Sequence, residues 1–369
     1  MLSVPNWVEI DLSAIRHNIR RLSEISARPV MVVVKANAYG HGLVEVGRAA
    51  CQAGAASLGI ARLEEALALR AAGIQAPLLV LGLTPPERVA EAAAGDIRVA
   101  CFDPELAREY SARASAAGLT LRVHAKFDTG MGRLGVWPED GVEFASLLNS
   151  LPGLALEGAM THLAVADEPL QPATALQLER FSAMVAALEA AGLRPPLVHA
   201  ANSATTLYFP QGRFDMVRSG IAVYGLHPSD EAPLPADFRP ALVWKARLAS
   251  VKLLPAGHGV GYNARYVTSR PERIGVCPAG YADGLRRQVN VNHALVDGQR
   301  VPVVGGVCMD QCMLQLDGVP AARAGDEIVL IGTQSGARIS AEEIAAAWGT
   351  VNYDVVCGLT ARVPRIYLD

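Results

Sequence analysis

PVMVVVK, Pro29 to Lys35, is an unbroken apolar run that ends on a lysine. Its β-branched composition suits a strand buried on both faces, as in a parallel sheet. Seven runs of similar texture follow: SLGIA from Ser57, LLVLG from Leu78, IRVACF from Ile97, LRVHAKF from Leu121, LEGAMTH from Leu156, LVHAANS from Leu197 and MVRSG from Met216. Helical patterns lie between them. Arg62 to Ala72 stops at Gly73, and a stretch from Gln177 to Ala191 stops at Gly192. Asp103-Pro104 reads as an N-cap with a first-turn proline, in a helix that Gly118 closes. About eight strands in a βα repeat are the signature of a (β/α)8 barrel. A doubly wound sheet stays open because sequence does not show closure, but the count favours the barrel.

From about Asp237 the texture changes. Helical periodicity nearly disappears apart from Ser340 to Trp348, and short strand-like runs such as RIGVCPAG and DEIVLIG alternate with Gly and Pro. The expected organisation is a barrel over residues 1–235 and a C-terminal, mostly-β domain over 236–369. Residues 1–11, with the early strand pattern VEIDL, are candidates to pair with the β domain instead. A length of 369 residues suits two domains, and 51% hydrophobic residues supply a substantial core.

A net charge of −3 argues against a general nucleic-acid or anionic-membrane binder, since both favour a basic face. The six cysteines are scattered through a long chain. They read as buried thiols in a reducing compartment, not as a disulfide framework or a zinc site. The N-terminal stretch lacks a basic-then-apolar signal pattern, and no apolar run reaches membrane-spanning length. The expectation is a soluble cytoplasmic protein with no bound metal.

Barrel chemistry sits at the C-terminal ends of the strands, with phosphate usually held after strands 7 and 8. Lys35 ends the first run, and two readings fit it. The ammonium can snorkel to solvent, or the strand can deliver a desolvated amine that condenses with an aldehyde. Arg133 follows the fifth run, His162 ends the sixth and Ser203 follows the seventh. Ser219-Gly220-Ile221 after the eighth, together with Ser203, suits phosphate binding by backbone N–H groups and hydroxyls. Combined with Lys35, these residues point to a phosphorylated aldehyde. GMGRLG, Gly130 to Gly135, matches G-x-G-x-x-G, but Trp137-Pro138 follows where a dinucleotide fold needs a helix, so the match is weak.

These residues stand in motifs that resemble the alanine racemase family from end to end. They are VVVKANAYGHG (Val32 to Gly42), KFDTGMGRLG (Lys126 to Gly135), THLAVAD (Thr161 to Asp167), HAANSA (His199 to Ala204), RSGIAVYG (Arg218 to Gly225), PAGYADGLRR (Pro278 to Arg287), VCMDQCM (Val307 to Met313), NYDVVC (Asn352 to Cys357) and RVPRIY (Arg362 to Tyr367). The resemblance implies a pyridoxal 5'-phosphate (PLP) enzyme that interconverts L- and D-alanine, for peptidoglycan or in alanine catabolism. It implies Lys35 as the cofactor lysine and Tyr262 as the second catalytic base. Racemisation removes the α-proton from one face and returns a proton to the other, so two groups must flank the substrate. A phenol, with an ordinary pKa of about 10, needs positive charge nearby to act as that base; the resemblance implies that His162 and Arg218 provide it through a hydrogen-bonded chain.

By the same resemblance Arg218 faces the cofactor's pyridine nitrogen, while Tyr39, Ser203, Gly220, Ile221 and Tyr353 hold its phosphate. Arg133, Met309 and Tyr281 bind substrate. Lys126 matches a lysine that some members carbamylate, although an ordinary exposed lysine also fits the residue. Tyr262 and Met309 are implied to reach the site from a second subunit, hence a head-to-tail homodimer. Two departures stand out: Gly306 replaces a more usual arginine, and Asn263 replaces a more usual glycine after the tyrosine. Asn tolerates positive φ well enough to keep that turn.

Three rival readings remain. One is a racemase of another small amino acid such as serine, because a hydrophobic pocket excludes one hydroxyl weakly. Another is a PLP decarboxylase of the same domain plan, which would leave the Tyr262 motif unexplained. The third is a non-catalytic PLP-binding protein, a class that lacks the C-terminal domain.

Overall fold

The computed structural model of the protein describes residues 4–288 and 290–369, so residues 1–3 of the early stretch lie outside the described residues. The chain divides into two compact units. One comprises Ala14–Ala38 and Leu43–Arg239; the other comprises residues 4–13, Tyr39–Gly42 and Pro240–Asp369.

In the first unit the eight apolar runs form eight parallel strands: Val30–Val33, Ser57–Ile60, Leu78–Val80, Ile97–Cys101, Leu121–Lys126, Leu154–Met160, Leu197–His199 and Val217–Ser219. Each of the first six pairs with the next in sequence, and the eighth pairs with the first. The gap between seventh and eighth is bridged by Asp215 N–H to the Val198 carbonyl (3.0 Å) and Arg218 N–H to the Ala201 carbonyl (2.9 Å). The sheet is thus a nearly closed barrel. Every strand but the last leads into a helix, and the last leads into the 3-10 turn Ile221–Tyr224. Asp103 caps Pro104–Ala116 by accepting Leu106 N–H at 3.0 Å, as its sequence position implied. The helix expected from Gln177 begins earlier and spans Ala173–Ala190, directly after Pro172.

Among the described residues, the second unit holds a ten-stranded sheet, almost wholly antiparallel, and a separate two-stranded pair, Gly259–Val260 with Tyr266–Val267. The strand Asn6–Asp11 lies in it, antiparallel to Leu242–Arg247 and parallel to Arg365–Leu368. Beside the helix Ala341–Trp348 it carries a second short helix, Asn352–Cys357, that periodicity did not reveal.

The segment after the first barrel strand has an unusual backbone. Ala36, Asn37, Ala38 and Tyr39 all have φ between 52° and 55°. Left-handed helical residues other than glycine cost roughly 1–2 kcal/mol each, so this is local strain of the kind that clusters at functional sites. Asn37 helps to hold the turn: its Oδ1 accepts Leu43 N–H at 2.9 Å. Gly40 follows at φ 80°, where an added Cβ would overlap the Val356 carbonyl oxygen.

Candidate active site

The barrel residues singled out from sequence converge on one edge of the barrel, at the C-terminal ends of its strands. Lys35 lies two residues beyond the first strand and is half-buried. Lys126 closes the fifth strand, His162 lies just past the sixth, Ser203 opens the helix after the seventh, and Arg218 sits in the eighth. Asn202 starts that helix by accepting Thr205 N–H at 2.9 Å, which fixes the position of Ser203.

Arg218 is the hub. Its Nη1 donates to His199 Nδ1 (2.8 Å) and the His199 carbonyl (2.8 Å). Its Nη2 donates to the Thr161 carbonyl (2.7 Å), the Ala200 carbonyl (3.0 Å) and His162 Nδ1 (3.4 Å). The guanidinium is buried, which lowers its pKa to about 10, yet it stays cationic at neutral pH. Its Nε–H has no acceptor among the described residues. A donor-only group left open in this way fits an unprotonated ring nitrogen, such as that of PLP.

The end of the eighth strand offers two more open donors. Ser203 Oγ accepts the N–H groups of Gly220 (3.1 Å) and Ala222 (3.3 Å), so its hydroxyl proton points elsewhere. The N–H of Ile221, between them, has no acceptor among the described residues. The surroundings are strongly cationic. Burial, with the charges of Arg133, Arg218 and Lys35, lowers the Lys126 pKa to about 8. Burial and the same cations lower His162 to about 3, so its imidazole is neutral at physiological pH. Open donors amid excess positive charge fit the phosphate and ring of PLP. Among the described residues no group of three or more His, Cys, Asp or Glu could hold a metal ion.

The loop carrying Arg133 shows what G-x-G-x-x-G does here. The Asp128 carboxylate accepts four backbone N–H groups, from Gly130 (2.9 Å), Met131 (2.8 Å) and Gly132 (3.1 Å) on Oδ1 and from Arg133 (2.9 Å) on Oδ2. Burial opposes its ionisation, but these four bonds hold its pKa below the usual carboxylate range. Sequence reasoning missed Asp128; the available signal was an Asp immediately before a Gly-rich turn, where Asx turns form. Asp128→Ala is expected to destabilise the protein by about 2 kcal/mol and to raise KM for the substrate about tenfold, as Arg133 loses its anchor. Denaturant unfolding and initial-rate kinetics check both effects.

The remaining site residues lie in the second unit. Tyr39 and Tyr353 face one another with ring centroids 6.1 Å apart. Burial raises the Tyr39 pKa far above that of an ordinary phenol, which keeps its hydroxyl a donor. Tyr262 opens a 3-10 turn and is 69% exposed. The residue after it, Asn263, has φ 60°, the conformation expected for it from sequence. Tyr281 (39%) and Met309 (53%) are also exposed, and their loops are joined by Tyr281 N–H to the Cys308 carbonyl and Ala282 N–H to the Met309 carbonyl, both 3.0 Å. Gly280 permits this, since a Cβ there would overlap the Met309 carbonyl oxygen. Gly306 lines a pocket of about 310 Å³ with Tyr262, Asn263, Arg265 and Arg287, and a Cβ on it would meet open space. An arginine would therefore fit at that position.

No helix among the described residues is long and apolar enough to cross a membrane. The sequence profile for the alanine racemase N-terminal domain matches residues 10–228, and that for the alanine racemase C-terminal domain matches residues 241–367. The chain is 48% identical to an alanine racemase of Symbiobacterium thermophilum over 98% of this chain and 97% of that one. It is 47% identical to an alanine racemase of Desulfovibrio desulfuricans over 99% and 98% of the two chains. The crystal structure of alanine racemase from D-cycloserine-producing Streptomyces lavendulae superposes with a TM-score of 0.95 at 42% identity, covering 100% of this chain and 98% of that one. With both of its domains matched and close relatives spanning nearly its whole length, this chain belongs to the alanine racemase family.

Proposed function

We propose that this protein is a PLP-dependent racemase interconverting L- and D-alanine, in which Lys35 and Tyr262 move the α-proton on opposite faces of the substrate. The observation that carries this reading is the set of open donors at the barrel mouth: Arg218 Nε–H, Ile221 N–H and the Ser203 hydroxyl. When bound, PLP supplies an electron sink for the charge left as the α-proton departs.

The chain's own residues perform the remaining tasks. Lys35 Nζ holds the cofactor and exchanges the proton of D-alanine; Tyr262 Oη exchanges that of L-alanine. His162 accepts from Arg218 through Nδ1, so its neutral ring keeps an Nε2–H to donate toward the phenolate oxygen. That donor, backed by the Arg218 charge, brings the phenolate within reach near neutral pH. Arg218 has no proton it can readily give up, so its open Nε–H would hold a cofactor ring nitrogen in the unprotonated state. Tyr39, Ser203, Gly220, Ile221 and Tyr353 hold phosphate. Arg133, Tyr281 and the Met309 N–H, which has no acceptor among the described residues, hold the substrate carboxylate.

Lys126 is assigned a carbamate, formed from its neutral amine and carbon dioxide with release of a proton. Its lowered pKa, about 8, supplies that neutral amine, and the resulting anion would orient Arg133. The exposure of Tyr262, Tyr281 and Met309 supports a homodimer in which they complete a site on the other subunit. The test is the optical rotation of L-alanine incubated with the protein, with and without added PLP, beside L-serine. Rotation should fall to zero with alanine only when PLP is present. Turnover of serine as fast as alanine would move the assignment to serine.

A further inference from the structure

Inside the barrel, a hydrogen-bonded chain extends from Arg218 through groups that have no part in the roles assigned above. Arg218 Nη1 lies 2.8 Å from His199 Nδ1, His199 Nε2 lies 2.8 Å from His124 Nδ1, and His124 Nε2 lies 3.3 Å from Glu157 Oε2. The four residues come from the eighth, seventh, fifth and sixth strands. His199 and His124 are buried, and Glu157 is held by Arg98, with Nε to Oε2 at 2.9 Å and Nη2 to Oε1 at 3.3 Å. Gly158 makes room for the chain, because a Cβ there would overlap His124 Nδ1.

Its two ends settle its direction. Arginine only donates, so His199 must present a lone pair at Nδ1 and carry its proton on Nε2. That proton goes to His124 Nδ1, so His124 in turn carries its proton on Nε2 and donates to a carboxylate, which only accepts. Protonating either ring would set two donors against each other at 2.8 Å. The opposite polarity would require a deprotonated Arg218. The chain is therefore not a proton wire. It is a fixed row of dipoles with lone pairs turned toward the guanidinium.

We infer that His199, His124 and Glu157 are positioning residues, a one-way chain that fixes the Arg218 guanidinium in place and keeps it cationic in the barrel interior. Burial lowers the pKa of both imidazoles, in keeping with neutral rings. Resting on the racemase reading above, the consequence is that Arg218 offers the cofactor ring a donor of fixed orientation. Glu157, at the middle of the strand Leu154–Met160, then governs the electronics of the site through two intervening rings.

The test has two parts. In the full-length protein as purified, with histidine ring nitrogens labelled with 15N, long-range 1H–15N correlations should show His199 and His124 neutral with the proton on Nε2 across pH 6 to 8. A cationic ring or an Nδ1–H tautomer at either residue overturns the chain, whatever the enzyme's activity. In Glu157→Leu, His124 loses its acceptor. The ring-nitrogen shifts of His199 should move, the visible band of bound PLP should shift, and kcat should fall about tenfold with KM for alanine within about twofold. Glu157→Gln, which retains an acceptor oxygen, should recover most of this and serves alone if the leucine variant does not fold: its His199 shifts should lie nearer to wild type than those of His124→Leu. Variants that lower only the melting temperature, with PLP band, His199 shifts and kcat unchanged, would show a purely structural role and overturn the inference. Intact tautomers with no racemisation in the wild type would leave the chain standing and sink the racemase reading instead.

Discussion

Lys35→Ala is expected to abolish racemisation, by about ten-thousand-fold or more, and to remove the visible absorbance of covalently held PLP. The size of the effect follows from the two tasks proposed for one amine, to anchor the cofactor and to exchange a proton at the α-carbon. No neighbouring group can take over. Lys126 is the other lysine at the barrel mouth, but it closes a different strand and is almost fully buried. Open donors at Ser203 and Ile221 remain in the variant, so PLP should still bind, non-covalently and more weakly. Because Lys35 is half-buried beside a solvent-accessible turn, its truncation should cost little stability. Absorbance spectra, a racemisation assay and a thermal melt of the variant separate these outcomes. Residual racemisation within about a hundredfold of wild type would remove Lys35 from the mechanism.

Tyr262→Phe is expected to behave in the opposite way spectroscopically. The cofactor stays on Lys35, so the visible band persists, while racemisation falls about a thousandfold, within the range for loss of a positioned acid–base group. The side chain is mostly exposed in the single chain, so losing one hydroxyl should leave unfolding within about 0.5 kcal/mol of wild type. The loss should also be one-sided. In D2O, D-alanine should still exchange its α-proton through Lys35, and L-alanine should exchange far more slowly, which proton NMR reads directly. Equal exchange from both enantiomers would remove Tyr262 from its assigned face.

The barrel was legible because most of its strands are short runs buried on both faces, and eight such runs were countable. The proposed two-base pair rests on motifs alone, since an exposed tyrosine in a short turn has no periodicity to mark it. Backbone conformation was read where side-chain chemistry reports on it: Asn263 could be expected at positive φ, while the left-handed run from Ala36 to Tyr39 could not, since alanine gives no sign of it. The helix Asn352–Cys357 is too short for a 3.6-residue pattern to emerge. Asp128, His124 and Glu157 went unread for a common reason. Their importance lies in hydrogen bonds across strands or to backbone N–H groups, and spacing along one chain does not encode these. His199 stood inside a recognised motif but received a role only once its ring was seen between Arg218 and His124.

The central claim is that Lys35 of one subunit and Tyr262 of the other form one catalytic pair. The most direct test is a heterodimer of Lys35→Ala and Tyr262→Phe subunits, co-expressed with different affinity tags and purified through both. One of its two sites would lack both groups and the other would have both intact, so two inactive variants should give a dimer with about half the wild-type activity. A tagged heterodimer that binds PLP but racemises alanine no faster than the two variant homodimers would contradict the account.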